Sequence, residues 1–234
     1  MNDVDNVSIT AARVLKPELM DNADPVEAAV CLRDLARINR WLGGHRALVQ
    51  VLRTLLKPEE RFSILDVGAA SGDMGGVICD HFPGARVVSL DYRASHLRLG
   101  QGLRVAANAF QLPFRPNSFD FVLCSLFLHH FSDVQAAELI AGLRRIARKA
   151  VIVLDLERHP VPYYFLPLTR RLLRWSEMTV HDGVISVAAA FRPEEIGALA
   201  RAAGSTEVRV RRHLPWFRLS AIIPAGVTKD SGVG

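Results

Sequence analysis

Ile64-Leu65-Asp66-Val67-Gly68-Ala69-Ala70-Ser71-Gly72-Asp73 joins an apolar run, an acid and a small-residue loop. The apolar positions from Phe62 to Val67 read as a strand buried on both faces, as in a parallel sheet. Gly68 and Gly72 allow a tight turn and a close approach of backbone to a ligand. A helix opening after that turn would aim its first amides at a carboxylate or other anion.

Strand, glycine loop and helix also make nicotinamide dinucleotide sites, where the acid follows about 20 residues later. This chain has acids in both places. Asp66 precedes the first glycine, and Asp91 closes a second apolar run, Arg86-Val87-Val88-Ser89-Leu90. The paired acids resemble those of the class I S-adenosylmethionine-dependent methyltransferases. Their first motif is acid-x-Gly-x-Gly-x-Gly, and Ala70 stands here at the middle glycine. The resemblance implies that Asp66 lies near the methionine end of the cofactor and that Asp91 holds its two ribose hydroxyls. Gly68, Ala70, Ser71, Gly72 and Tyr92 would line the same site.

A third stretch agrees. Asn108-Ala109-Phe110-Gln111-Leu112-Pro113-Phe114 precedes Asn117-Ser118-Phe119-Asp120-Phe121-Val122-Leu123. It is similar to the family's Asp-Ala-x-x-Leu-Pro-Phe followed by Ser-Phe-Asp and an apolar strand. Asn108 replaces the acid that meets the adenine amino group, and its carbonyl can still accept that hydrogen bond. Ala109 would offer its amide to the adenine ring. The resemblance covers roughly residues 60–157. It is to the broad group that includes the ubiquinone and menaquinone biosynthesis methyltransferases.

Around these motifs the pattern alternates strand and helix. Strands are expected at 62–67, 85–90, 103–107, 119–124, 150–155, 206–212 and 216–223, with helices at 72–82, 94–100, 133–148 and 193–203. The last two strands are joined by too short a connection for a crossover and should be antiparallel. The fold class is therefore α/β: a Rossmann-like, mostly parallel seven-stranded sheet with an antiparallel last hairpin. Residues 1–58 read as an N-terminal arm and helical cover, divided at Gly43-Gly44, and 59–227 as the cofactor-binding domain. Within that domain, about 157–192 reads as an inserted lid, and 228–234 reads as a disordered tail.

Half of the 234 residues are hydrophobic, enough for one domain with a full core. No apolar run reaches the ~18 residues of a membrane span, and the polar N-terminus does not read as a secretory signal. Three scattered cysteines suit a reduced, cytoplasmic chain and show no metal-ligand spacing. A net charge of +5 raises nucleic acid as a partner. The arginines are spread along the chain and lysines are scarce, which disfavours it.

The fourth strand runs into Cys124-Ser125-Leu126-Phe127-Leu128-His129-His130-Phe131-Ser132-Asp133, where an open sheet binds its ligands. Ser125 would border the cofactor. His129 or His130 could take the proton of a phenol or enol hydroxyl as the methyl moves. Either ring could instead pack beside Asp133, and alignment alone can carry methyl transfer. The 157–192 insertion is long and apolar. Tyr163, Tyr164 and Trp175 are expected to wall the acceptor, with a dimer contact or extra core as the alternative use of that face. Arg40, beside the Gly43-Gly44 break, is a candidate partner for the cofactor carboxylate.

These readings converge on methyl transfer from S-adenosylmethionine, with S-adenosylhomocysteine as product, to a small molecule. A hydroxyl of an aromatic or polyketide-like compound is the expected acceptor, and the chain should act as a monomer or homodimer. An RNA or DNA methyltransferase, or a cofactor-binding protein without turnover, is the alternative.

Overall fold

All seven expected strands form, and they join one sheet. The structure, a computed structural model, describes Ile9 and residues 12–226. The expected tail at 228–234 and much of the arm lie outside the described residues. The strands are β1 (Phe62–Val67), β2 (Ala85–Asp91), β3 (Leu103–Ala106), β4 (Phe119–Ser125), β5 (Ala147–Leu156), β6 (Arg209–His213) and β7 (Arg218–Pro224). Their order is β3-β2-β1-β4-β5-β7-β6, parallel except for β7, which is antiparallel to both its neighbours.

Alternation along each strand divides the core. Ile64, Phe121, Leu123 and Ile152 face α2 (Gly44–Leu55) and α3 (Asp73–His81). Leu65, Val122, Val151 and Val153 face α5 (Asp133–Ile146) and α8 (Pro193–Ala202). A sheet covered on both faces buries its central strands almost completely, which is why β1 reads as a continuous apolar run.

Between the first crossovers lies α4 (Ala94–Leu97), shorter than expected because Gly100 and Gly102 follow it. Strand β5 begins earlier than expected, at Ala147, where the backbone turns extended and ends α5. Strand β6 starts late because Ser205 Oγ donates to Glu207 O, holding a turn ahead of it.

The N-terminal cover is α1 (Pro25–Trp41), followed by α2. Asp24 caps α1 by accepting from the amides of Val26 and Glu27, and Pro25 suits the first turn. Gly43 separates the two helices at φ +76°, and a Cβ there would collide with the Trp216 ring. The 157–192 insertion forms α6 (Pro160–Leu173) and α7 (Glu177–Ala189). Among the described residues no helix is long and apolar enough to cross a membrane.

Candidate functional site

The strand order reverses between β1 and β4, and the loops leaving these strands open a cavity of about 560 Å³. Its first wall is the loop from Gly68 to Gly72. Gly68 adopts φ +71°, and a Cβ there would meet Phe127 Cγ at 2.5 Å, so a side chain would strain the turn and displace the Phe127 ring. Ala70 takes up a left-handed conformation at φ 47°, which keeps the turn that its glycine counterpart would make.

The loop amides differ from expectation. Gly68 N and Ala69 N donate to Leu90 O at 2.9 and 3.0 Å, and Ala70 N donates to Asp91 Oδ2 at 2.8 Å. These amides position the loop against β2 and are not left for an anion. Asp91 Oδ1 accepts from Arg93 N at 2.8 Å. A carboxylate offers about four lone-pair sites, so Asp91 can still grip a diol facing the cavity. At the start of α3, Asp73 accepts from Asn39 Nδ2 at 3.1 Å and meets His45 Nε2 at 2.9 Å. This ties α1 and α2 to the loop.

Asp66 is 1% exposed, and its Oδ2 has no hydrogen-bond partner. Burial, with repulsion from Asp73 and Asp91, pushes its pKa up to about 7. Ser125 Oγ is likewise buried without a partner. Both residues line the cavity, so they present an acceptor and a hydroxyl to whatever fills it. An amino-acid ammonium beside Asp66 would supply the missing donor, which fits the methionine end of S-adenosylmethionine. Tyr92, Asn108 and Ala109 line the same cavity. Asn108 Oδ1 already accepts from Phe110 N at 2.9 Å, leaving one lone pair for an adenine amino group.

A second cavity of about 290 Å³ adjoins the first, and Met20, Leu35, Leu126 and His130 border both. His129 lies in its floor, 3% exposed, with Nδ1 2.7 Å from Asp155 Oδ1 and Nε2 3.7 Å from Glu18 Oε1. Burial opposes charge on this ring, but the carboxylates of Asp155 and then Glu18 outweigh it, and the His129 pKa is pushed up to about 10. Burial first, then the His129 charge, hold His130 below the ordinary histidine range. The neutral ring facing both cavities is therefore His130.

Glu18 reaches this place because the arm is pinned. Asp182 of α7 accepts from the amides of Leu19 and Met20, and Arg13 donates to the carbonyls of His129 and Phe131. Ser186 donates to Glu18. Glu18, His129 and His130 thus bring a carboxylate oxygen and two ring nitrogens within 4.8 Å. Sequence spacing showed no such convergence, because Glu18 lies in what reads as a tail. Asp155 offers a sequence signal of its own, an acid near the carboxyl end of a buried strand.

Several expected contacts fall elsewhere. Arg40 is exposed and borders neither cavity, since it lies on the outer face of α1. Gly72 caps α3 with φ +74° behind the lining residues. The α6 wall of the second cavity is Val161, Pro162, Phe165 and Leu166, the face turned inward. One helical step away, Tyr163 packs with Val184 and Val187, while Tyr164 is 54% exposed. Trp175 is buried against Ile38 and Leu166, with its Nε1 donating to Thr169 Oγ1 at 3.1 Å. None of the three lines the second cavity.

Residues 65–154 match the methyltransferase domain family. The chain is 29% identical over 167 residues to the demethylmenaquinone methyltransferase of Roseiflexus sp. (strain RS-1), covering 63% of this chain and 69% of that one. It is 31% identical over 133 residues to the ubiquinone/menaquinone biosynthesis C-methyltransferase UbiE of Paracoccus denitrificans (strain Pd 1222), covering 51% and 52%. The chain therefore spans about half the length of that relative. In fold it is similar to the plantazolicin methyltransferase BpumL in complex with SAH, with TM-score 0.66, 12% identity and coverage of 88% of this chain and 92% of that one. It is also similar to magnesium protoporphyrin IX methyltransferase (ChlM) of Synechocystis PCC 6803 with bound SAH, with TM-score 0.55, 14% identity and coverage of 79% and 84%. Motif order, strand order and relatives agree: residues 65–154 form a methyltransferase domain, and the chain resembles the class I S-adenosylmethionine-dependent methyltransferases.

Proposed function

We propose that this enzyme methylates a hydroxyl of an aromatic or polyketide-like small molecule held in the second cavity. The supporting observation is the shared boundary of the two cavities at Leu126 and His130. A donor in the first cavity and an acceptor in the second would meet there. When bound, S-adenosylmethionine supplies a methyl group on a sulfonium centre. Asp66 would hold its ammonium, Asp91 its ribose, and Asn108 with Ala109 its adenine; Ser125 Oγ is a further polar group beside it. The helices α1, α6 and α7 would exclude water and orient the acceptor. His130, neutral and open to both cavities, would take the hydroxyl proton, while the His129–Asp155 pair fixes the floor beneath it.

The named relatives favour a second reading of the same site, in which a ring carbon of a quinol-like acceptor receives the methyl group. The apolar α6 face suits a flat ring in either case. Mass spectrometry of the protein as purified should find bound S-adenosylmethionine or S-adenosylhomocysteine. Transfer of labelled methyl to a panel of phenols and hydroquinones, with the product bond assigned by NMR, separates the readings. No transfer to any member, beside tight cofactor binding, would point to a binding protein without turnover.

A further inference from the structure

Arg218 opens β7 opposite Leu156 of β5, so it stands at the carboxyl end of β5, beside the second cavity. It is 2% exposed. Its hydrogen bonds are long and go to neutral oxygens: Nε to Leu42 O at 3.4 Å and Nη2 to Asn39 Oδ1 at 3.3 Å. No carboxylate of the described residues lies within ion-pair distance of it.

The other arginines drawn inward differ. Arg158, also buried, pairs with Glu195 at 2.6 Å, and the largely buried Arg13 pairs with Asp133. Even the exposed Arg212 on the neighbouring strand pairs with an acid, Glu157. Burial lowers the Arg218 pKa to about 10, opposed by Asp155, so the group stays charged at neutral pH. Asp155 itself is engaged by His129 at 2.7 Å and by the Leu156 amide at 2.8 Å. A buried cation without a counter-ion is unfavourable unless something supplies one. The cavity's apolar lining includes Ile38, Leu42, Phe165, Trp216 and Phe217, and its two carboxylates are engaged elsewhere, Glu18 by Ser186 and His129 and Asp182 by the Leu19 and Met20 amides.

We propose that Arg218 receives an anionic oxygen group of the acceptor, so that this enzyme selects apolar molecules carrying a carboxylate or its equivalent. This rests on reading the second cavity as the acceptor chamber. The guanidinium fork matches a carboxylate in geometry, and the low-polarity walls exclude competing water. A neutral ligand of the same shape would leave the guanidinium unpaired.

The test is calorimetry on the full chain with saturating S-adenosylhomocysteine, which keeps the ligands out of the first cavity. Two matched pairs serve as probes: 2-naphthoate with 2-naphthamide, and decanoate with decanamide. The carboxylate of each pair should bind at least tenfold tighter than its amide. Arg218→Met should bring the two to near parity. Arg218→Lys, which keeps the charge but loses the fork, should retain part of the preference and carries the comparison if the Met variant does not fold. Equal binding of acid and amide to the wild type overturns the proposal. So does a preference that survives Arg218→Met, or failure of both carboxylates to bind. Loss of S-adenosylhomocysteine binding in the wild type would instead sink the reading beneath it, in which the cofactor fills the first cavity, a cavity that Arg218 does not line.

Discussion

His129 Nδ1 lies 2.7 Å from Asp155 Oδ1, and both side chains are buried beneath the junction of the two cavities. The pair spans two strand ends, since His129 follows β4 and Asp155 belongs to β5. Burial alone would lower a histidine pKa, yet this one is pushed up to about 10 by its carboxylate. A raised folded-state pKa gives stability that is fully present below the unfolded value of about 6.5. That stability is lost as pH rises through the folded value. The wild type should therefore lose stability between pH 6.5 and 10. Asp155→Asn should be less stable at pH 6 and should show a flatter profile, read by denaturant melts at several pH values.

His130 faces both cavities and is the neutral ring of the pair. If it takes the acceptor proton, His130→Ala should lower kcat by roughly 10²–10⁴ with S-adenosylmethionine affinity preserved. The loss should shrink for phenols already ionised at assay pH. Because its pKa is held below 6.5, the acid limb of the wild-type rate should fall below that value. Unchanged kcat with a neutral phenol would leave alignment as the whole of catalysis.

Asp91 both anchors Ala70 N and faces the cavity. Asp91→Ala should weaken S-adenosylmethionine binding at least tenfold, consistent with losing about 1.5–3 kcal/mol of charge-assisted hydrogen bonding. Circular dichroism should show a retained fold. Calorimetry with unchanged affinity in a folded variant would remove Asp91 from the site.

Asp66 titrates near neutrality, at about 7. Below that pH its carboxyl is neutral and offers an ammonium less. S-adenosylhomocysteine affinity should fall as pH drops from 8 to 5.5, and binding near pH 7 should release protons. Asp66→Asn should abolish both effects. Calorimetry in buffers of different ionisation enthalpy reads the proton directly.

The inward face of α6 carries Phe165 and Leu166, whereas Tyr164 points to solvent. Phe165→Ala should raise acceptor KM severalfold and leave cofactor affinity nearly intact, while Tyr164→Ala should change neither. A change confined to oligomeric state, seen by light scattering, would make this segment an interface.

Much of the fold was legible because local chemistry decides it. The run from Phe62 to Val67, the turn glycines Gly68 and Gly72, and Asp91 at the end of the next strand each follow from periodicity and backbone sterics. The N-cap at Ser132, answered by Gln135, begins α5 where the pattern begins it. The site was legible where one loop or one strand end supplies the residue, as with Asp66, Asn108 and His130, all of which reach the first cavity.

Tertiary structure decided the rest. Which face of α6 turns inward depends on how α6 packs against α7, and that placed Phe165 and not Tyr163 or Tyr164 at the cavity. Glu18 reads as part of a tail and becomes a buried partner of His129 only because Asp182 and Arg13 pin the arm. Arg218 reads as one arginine among many until β7 inserts beside β5 and buries it without an acid. Periodicity sets which residues share a face of one element. The packing of distant elements sets which charges meet, and from that their pKa values and their uses.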